Sequence, residues 1–290
     1  VLREALGEVE IRRTEAPRHA TALAREALRG GCDLVVALGG DGTFSEVTDG
    51  FFDDQAGGEA GGQPIRPEAA LGLLPYGTGG DFRRTVGLGG DIAEAARRLR
   101  DATPRAIDVG RLRYRAHDGS FAVRHFLNIA SFGVGGLVDE IVNASSKALG
   151  GKLAFMLGTV RAMLRYKNQP VRLRLDGGEP RDVVINNVAI ANGRYFGGGM
   201  KIAPDASLDD GLFDVVVLGD LGLTDFLLRG GRVYKGTHLS MPEVTFARAR
   251  RVEAEALAPG ARVLLDVDGE QPGMLPAVFE IVPSALKLKC

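Results

Sequence analysis

The feature that most constrains the fold is a short apolar strand that runs directly into a glycine-rich turn. Residues 33–38, DLVVAL, are nearly all apolar, and Gly39-Gly40-Asp41-Gly42-Thr43 follow them. A strand that is apolar on both sides belongs in the buried parallel sheet of an α/β protein. A helix is expected to begin near Thr43, so the turn would present free N–H groups to an anion such as phosphate. Three glycines are more than an ordinary strand-to-helix connection needs.

A second unit of the same kind lies farther along the chain. Strand 69–74 leads into the turn 75–82, PYGTGGDF, and a helix is predicted at 91–100. The carboxyl ends of neighbouring parallel strands meet at one edge of a sheet, so the two turns would form one crevice. Together with a helix at 18–29, this alternation predicts a doubly wound α/β domain over residues 1–106.

The pattern changes in the second half of the chain. Strands predominate after residue 106, and a single long stretch, 137–167, has helical periodicity. We therefore predict a mostly antiparallel β-sandwich domain over residues 107–290. Its predicted strands are 107–115, 121–131, 171–176, 182–191, 212–218, 243–248, 262–268 and 277–282.

Composition excludes several classes of protein. The formal net charge is −1 over 290 residues, which gives no basic surface for nucleic acid. The two cysteines, Cys32 and Cys290, form neither a disulfide framework nor a metal motif. Apolar runs fall short of the roughly 18–20 residues that span a bilayer, and the charged first residues are unlike a secretory signal. We expect a soluble, cytoplasmic protein.

Asp41 is the unusual residue of the first turn, because a carboxylate alone would repel phosphate. The turn also lacks the lysine of a P-loop and the spacing of a dinucleotide-binding motif. A divalent cation between carboxylate and phosphates removes the conflict, and Mg²⁺ binds in this way. We therefore predict that Asp41 organises metal-bound nucleotide phosphates. Thr43 and Glu46 also fit a capping box that needs no function, and Asp81 is favoured as a helix cap.

Four segments together resemble the diacylglycerol kinase catalytic-domain family, which includes bacterial lipid kinases and the sphingosine and ceramide kinases. In the order and spacing of that family, they are GGDGT (39–43), GTGGDF (77–82), NGRYFGGGMKIAPDASLDDGLFDV (192–215) and DVDGE (266–270). NAD kinases also carry GGDGT, but the third and fourth segments favour the lipid kinases. The resemblance covers nearly the whole chain. It implies a nucleotide-binding α/β domain like that of NAD kinase, a β-rich domain, and ATP in the cleft between them.

The resemblance also implies roles for individual residues. Asp41 and Glu270 would be catalytic, with Glu270 as the general base for a lipid hydroxyl. The residues implied in ATP binding are Thr14, Gly39, Gly40, Asp41, Gly42, Thr43, Glu46, Gly77 and Thr78. A structural Mg²⁺ site would use Asp210 and the backbone carbonyls of Ser207 and Leu212. Taken without the resemblance, the segments around Glu270 and Asp210 are more typical of ordinary turns.

Three departures from the family pattern bear on activity. The family's first strand and its Asn-Pro-x-Ser-Gly loop are expected to be missing here. Gly80 and Ser45 each stand where the family has asparagine. We predict an ATP- and Mg²⁺-dependent lipid kinase of phospholipid metabolism, with diacylglycerol as the first choice of acceptor. The alternatives are a kinase of a soluble hydroxyl compound, as in NAD kinase, and a catalytically weak lipid- or nucleotide-binding regulator.

The stretch 147–167 is the candidate for contact with lipid. Its apolar residues at helical spacing are Leu149, Leu153, Met156, Leu157, Val160, Met163 and Leu164, and its basic residues are Lys147, Lys152, Arg161, Arg165 and Lys167. Such a helix fits a membrane interface, although the residues alone favour a helix packed on the β-rich domain. The expected partners are ATP and a lipid at a membrane surface, with peripheral association and no nucleic acid. A homodimer is left open.

Overall fold

A computed structural model describes residues 4, 6–53, 63–77, 80–144 and 151–290, the side chains of 143–144 and 151–156 excepted. Strands and helices alternate in the first part of the chain. In order, the elements are α1 (His19–Arg29), β1 (Leu34–Gly39), α2 (Asp41–Gly50), β2 (Ala70–Pro75), α3 (Asp81–Thr85) and α4 (Ile92–Asp101).

The first part of the chain is doubly wound. β1 and β2 are parallel, with Leu34 opposite Ala70. Leu71 and Leu73 of β2 pack with α1 and α2 on one face of the sheet. Leu74, the next-to-last residue of the same strand, packs against α4 on the other face of the sheet. Helices therefore cover both faces, which confirms the predicted α/β class.

The rest of the chain is mostly antiparallel β-structure. Its elements are β3 (Arg105–Ala116), β4 (Phe121–Phe126), β5 (Ile129–Gly133), α5 (Val134–Ala144), α6 (Gly151–Arg165), β6 (Gln169–Leu175), β7 (Arg181–Ile185), β8 (Asn187–Ala191), β9 (Phe213–Leu218), α7 (Leu223–Arg229), α8 (Gly231–Lys235), β10 (Val244–Ala249), β11 (Arg251–Ala256), β12 (Leu265–Val267) and β13 (Gly273–Lys289). A 3₁₀ turn lies at His238–Ser240.

Two sheets enclose the core of this second part. One has the order β1-β2-β13-β11-β6-β7, with β3 paired to β13 and β4 paired to β3, and the other has the order β10-β9-β8-β5-β12. Apolar side chains from both sheets meet between them, including Phe126, Phe132, Phe213 and Phe279. The rings pair as Phe126 with Phe213 and Phe132 with Phe279, each at 5.8 Å between centroids. The predicted antiparallel sandwich is confirmed.

The last strand, β13, joins the two parts of the molecule. Its C-terminal end is parallel to β2, with Lys287 opposite Ala70. The rest of β13 is antiparallel to β3 and β11. One sheet therefore runs across the predicted boundary at residue 106, and the division into 1–106 and 107–290 stays a prediction.

Some predicted elements differ in detail from the observed ones. The segments 121–131 and 182–191 each form two strands, and each pair is divided between the two sheets. Apolar residues continue through both halves of these segments, so the sequence pattern does not indicate where the chain changes sheets. The predicted helix 137–167 is two helices, α5 and α6. The short helices α7 and α8 and the strand β11 were not predicted.

Candidate active site

The two glycine turns flank one cleft. α2 begins at Asp41, two residues before the expected position, with Gly40 as its N-cap. The first N–H groups of a helix have no partner within the helix, so the start of α2 supplies free donors. A cleft of about 330 Å³ lies beside them and is lined by Gly39, Gly40, Phe44, Pro75, Tyr76, Gly77, Gly80, Arg83, Gly90 and Ile92.

The glycines of the first turn serve two different purposes. A Cβ at Gly39 would lie 2.4 Å from Oγ1 of Thr43, so packing of α2 on β1 requires glycine there. A Cβ at Gly40 would lie 4.0 Å from its nearest described neighbour, the backbone oxygen of Tyr76. A Cβ at Gly42 would lie 3.6 Å from Oε1 of Glu270. Described protein neighbours therefore do not exclude a side chain at Gly40 or Gly42. Their bare backbone leaves the start of α2 open to a ligand.

Asp41 connects the first glycine turn to the second. Its Oδ2 accepts hydrogen bonds from the N–H groups of Gly80 and Asp81 at 2.7 and 2.9 Å, and its Oδ1 accepts from Phe82 at 3.0 Å. Hydrogen bonds to an ionised acceptor are stronger than neutral ones, so the carboxylate fixes the separation of the two turns. Asp41 was predicted to organise the nucleotide phosphates and their metal, and local spacing gave no sign of this link between the turns. The metal role stays a prediction.

Glu46, which was expected either in a capping box or at the nucleotide, bonds to another helix. Its carboxylate accepts hydrogen bonds from the N–H groups of Arg18 at 2.9 Å and Ala20 at 3.1 Å, at the start of α1. The capping box with Thr43 was therefore wrong. The partner lies 26 to 28 residues away in the sequence, so local spacing could not reveal it.

Asp81 also differs from its expected role as a helix cap. It is the first residue of α3, and its Oδ2 accepts a hydrogen bond from the N–H of Gly198 at 2.8 Å. Its Oδ1 accepts from Nη1 of Arg84 at 2.6 Å. Burial raises the pKa of Asp81, and the nearby charge of Asp41 adds to this rise. Asp81 therefore joins the second glycine turn to the β-rich part, through its hydrogen bond with Gly198.

The segment that begins at residue 192 connects the β-rich part to the second glycine turn and α3. Nδ2 of the buried Asn192 donates hydrogen bonds to the backbone oxygens of Asp108 at 3.0 Å and Leu127 at 2.7 Å. The N–H of Arg194 donates to Oγ1 of Thr85 at 3.1 Å, which ties the segment to α3. The long block that distinguishes lipid kinases from NAD kinases in the sequence therefore packs directly beside the second glycine turn.

The turn after β12 brings Glu270 to the start of α2. Oε1 of Glu270 lies 3.6 Å from the position of a Cβ at Gly42. Its Oε2 accepts a hydrogen bond from Nη2 of Arg124 at 2.5 Å, and the Arg124 side chain is only 3% exposed. Arg124 was not predicted as a site residue, because a strand arginine is normally solvated and its burial depends on sheet packing. Asp41 and Glu270, distant in sequence, thus reach one helix terminus.

Asp268 is a second acid of this turn that was not singled out. It accepts hydrogen bonds from the N–H groups of Ile129 at 3.0 Å and Leu127 at 3.3 Å. Burial, with a smaller contribution from the charge of Asp41, raises the pKa of Asp268 to about 7, and the hydrogen bond from Ile129 and the charge of Arg124 oppose the rise. A carboxyl group whose pKa lies near neutral pH is a candidate for proton transfer.

A buried pair of carboxyl groups supports the same turn from behind. Asp266 accepts hydrogen bonds from Oγ of Ser131 at 3.1 Å and from the N–H of Gly269 at 2.9 Å. Asp139 of α5 is buried and bonds to Asp266 through their carboxyl groups. Burial and the charge of Asp266 raise the pKa of Asp139 well above its ordinary value, so the pair holds a proton.

Of the other residues predicted to bind the nucleotide, one lines the cleft and two are not placed there by the described structure. Gly77 lines the cleft and has a φ of +130°, a conformation that favours glycine. Thr14 is exposed in the segment before α1, and we observe no hydrogen bond from it to another described residue. Thr78 lies outside the described residues. All three assignments stay predictions.

The turn predicted to hold a structural metal precedes β9. Asp210 accepts a hydrogen bond from the N–H of Leu212 at 3.1 Å and forms an ion pair with Arg248, while Oγ of Ser207 donates to Asp209 at 2.5 Å. Oxygen donors suit Mg²⁺, but Arg248 competes for the one carboxylate of the predicted set. Within the described part of the chain, no three His, Cys, Asp or Glu side chains gather at a metal position.

The whole chain is similar to known kinases. Residues 1–112 match the family described as "Diacylglycerol kinase catalytic domain", and residues 128–290 match "YegS C-terminal NAD kinase beta sandwich-like domain". A diacylglycerol kinase of Bacillus subtilis is 31% identical over 94% of this chain and 82% of its own length. A Stenotrophomonas maltophilia protein named "Probable lipid kinase YegS-like" is 30% identical over 99% of this chain and 90% of its own. The crystal structure of a diacylglycerol kinase from Bacillus anthracis str. Sterne matches with a TM-score of 0.73 and 27% identity, over 99% of this chain and 88% of that one.

The raised pKa of Asp139 predicts how stability depends on pH. The neutral acid is the stable form in the fold, so its contribution is complete below its ordinary pKa of 3.8 and is lost as pH rises through the folded-state pKa. Asp139→Asn keeps a neutral hydrogen-bonding group at every pH. Between pH 5 and pH 8 the Tm of this variant should fall less than that of the wild type, by at least about 2 °C.

Thermal unfolding at both pH values measures this difference. Glu140→Gln, at the exposed neighbouring position on α5, is the matched control and should behave like the wild type. Equal pH dependence of the wild type and Asp139→Asn would contradict a shared proton at the Asp139–Asp266 pair.

Proposed function

The chain belongs to the diacylglycerol kinase family, and on that premise we propose that it transfers the γ-phosphoryl group of ATP to a lipid hydroxyl, with diacylglycerol as the acceptor. The observation that carries the proposal is the meeting of Glu270 with the open start of α2 beside Gly42. Free N–H donors for phosphate and a carboxylate for the attacking hydroxyl are the two groups that such a transfer needs at one place.

The proposed reaction assigns a task to each part of the site. The start of α2 and its bare backbone at Gly40 and Gly42 hold the phosphates of ATP. The lipid hydroxyl oxygen forms a bond to the γ-phosphorus while the bond from that phosphorus to the bridging oxygen of ADP breaks. Glu270 accepts the hydroxyl proton through Oε1. Arg124 holds Oε2 and so orients the carboxylate.

We include Mg²⁺ in this proposal. The metal supplies charge neutralisation at the phosphates when it is bound. A metal that arrives with ATP needs only one or two protein carboxylates, and Asp41 at the start of α2 fits this requirement. Asp41 has a structural task as well, since its carboxylate accepts three N–H groups of the second turn.

Transfer of labelled phosphate from ATP to diacylglycerol in mixed micelles tests the proposal. The wild type should form phosphatidic acid in the presence of Mg²⁺ and leave NAD unmodified. Glu270→Gln and Asp41→Asn should each lower kcat by at least about a hundredfold, because they remove the proton acceptor and the carboxylate near the phosphates.

Glu179→Gln, at an exposed position in the turn between β6 and β7, is the control and should retain full activity. Phosphorylation of NAD without phosphorylation of any lipid would refute the choice of acceptor. A fully active Glu270→Gln variant would refute the role of Glu270.

We further propose that α6 and α7 rest on the lipid surface. Leu164 of α6 and Leu227 and Leu228 of α7 are 67%, 66% and 85% exposed. The two helices are tied together, because Nδ2 of Asn168 donates to Oδ1 of Asp220 at 2.6 Å in the connection before α7. Among the described residues, no helix has the length and apolarity to span a bilayer. Exposed leucines at a helix surface suit the acyl boundary of a membrane.

The other face of α6 is packed, as the alternative interpretation predicted. Ala162 is fully buried against Val134 and Val138 of α5. Arg161 and Arg165 lie at exposed positions and suit contact with anionic headgroups. Of the residues named for this helix, Lys147 and Leu149 lie outside the described residues, as do the side chains of Lys152, Leu153 and Met156.

Reversal of the charges on α6 should weaken membrane binding. Each basic residue near an anionic surface contributes about 1 kcal/mol, so Arg161→Glu with Arg165→Glu should lower binding to phosphatidylglycerol-containing vesicles at least about tenfold in sedimentation assays. Arg97→Glu with Arg115→Glu, two exposed arginines on other elements, is the control of equal charge. Equal losses in both double variants would contradict a specific contact through α6.

We also propose that the turn at Ser207, Asp210 and Leu212 binds a structural Mg²⁺ in competition with Arg248. Binding to the folded state alone stabilises it, by about 2.7 kcal/mol at a hundredfold excess over Kd. Added Mg²⁺ should raise the Tm of the wild type, and Asp210→Asn should abolish the increase. Arg248→Met should enlarge the increase, because it frees the carboxylate.

Asp205→Asn, at an exposed position in the same turn, serves as the control for the loss of one charge. A Tm that Mg²⁺ and EDTA leave unchanged in both the wild type and Arg248→Met would argue against a metal at this turn.

A further inference from the structure

Arg83 occupies the space that a side chain at position 80 would need. A Cβ built at Gly80 would lie 2.2 Å from Nε, 2.6 Å from Cδ and 2.9 Å from Cγ of Arg83. Contacts this short do not occur, so a larger residue at position 80 has to displace the arginine. Gly80 has a φ of +113°, which also favours glycine. The glycine at this position and the arginine three residues later are therefore one structural unit.

The guanidinium of Arg83 lies in the cleft and has no counter-ion among the described residues. Arg83 is half-buried, lines the cleft and reaches to 3.6 Å from the Cβ position of Gly90. It makes no hydrogen bond or ion pair with another residue in the described ranges, whereas its neighbour Arg84 is paired with Asp81. Among the described residues that line the cleft, Arg83 has the one charged side chain. A partly desolvated cation in a glycine-lined cleft suits an anionic ligand.

We propose that Arg83 binds a phosphate group of the nucleotide and takes over the task of the side chain that position 80 lacks. This inference rests on the proposed kinase function and names a further nucleotide-binding residue within it. The guanidinium fork matches two phosphate oxygens at once, which an asparagine amide cannot do. Gly80, a departure from the family pattern, then makes room for a stronger donor and does not leave the nucleotide without one.

A double-mutant cycle at positions 80 and 83 tests the proposal. ADP and adenosine binding are measured by calorimetry in Mg²⁺ buffer for the wild type, Arg83→Ala, Arg83→Lys, Gly80→Asn, and Gly80→Asn with Arg83→Ala. Loss of a charged hydrogen bond should weaken ADP binding about 10- to 100-fold in Arg83→Ala, with less than about a threefold effect on adenosine. Arg83→Lys should keep part of the affinity.

The pair should also be non-additive. Gly80→Asn alone should weaken ADP binding, because its Cβ displaces Arg83. In the Arg83→Ala background the same change should restore at least part of the lost affinity, because the collision is gone and an amide is present. Arg97→Ala, at an exposed position on α4, is the matched control, and the Tm of each variant shows whether it is folded.

Two kinds of result would overturn the proposal. Unchanged ADP binding in Arg83→Ala, or equal losses for ADP and adenosine, would show that Arg83 contacts no phosphate, and lipid kinase activity in the same preparation would keep the kinase function intact. A wild-type chain that binds no ADP and phosphorylates no lipid would overturn the kinase function and this inference together.

Discussion

The arrangement of the candidate site depends on the hydrogen bonds of one carboxylate, that of Asp41. It accepts the N–H groups of Gly80, Asp81 and Phe82, so the turn after β1 and the turn after β2 keep a fixed distance. The donors of α3 are thereby satisfied inside the protein, while those at the start of α2 remain available. This asymmetry places the available helix donors at one end of the cleft. It also holds the backbone from which Arg83 extends.

The β-rich part contributes the complementary half of the site. Arg124 on β4 fixes Glu270, and the backbone between β4 and β5 holds Asp268. Behind them, the buried pair of Asp139 and Asp266, which holds a proton, supports the turn. Carboxyl groups from both parts of the chain therefore meet near the start of α2.

The sequence revealed what depends on local pattern. The apolar strands, the glycine turns and the order of the motifs predicted the two fold classes and brought Asp41 and Glu270 into one hypothesis. Tertiary partners were beyond its reach. Glu46 caps a helix some 26 residues earlier, Asp81 binds Gly198, and Arg124 is buried only because β4 joins a sheet whose central strand comes last in the chain. The sequence identifies a carboxylate as an acid and acceptor, but it does not identify the residue that donates to it in the fold.

The course of β13 has a mechanical consequence. This strand is hydrogen-bonded to β2 at its C-terminal end, to β3 from Gly273 to Leu288 with two irregular steps, and to β11 over Ala277–Glu280. A hinge rotation that pulled the two parts of the protein apart would have to break backbone hydrogen bonds in the middle of a sheet, which costs more than moving a loop. The shared sheet therefore gives the two parts one mechanical frame.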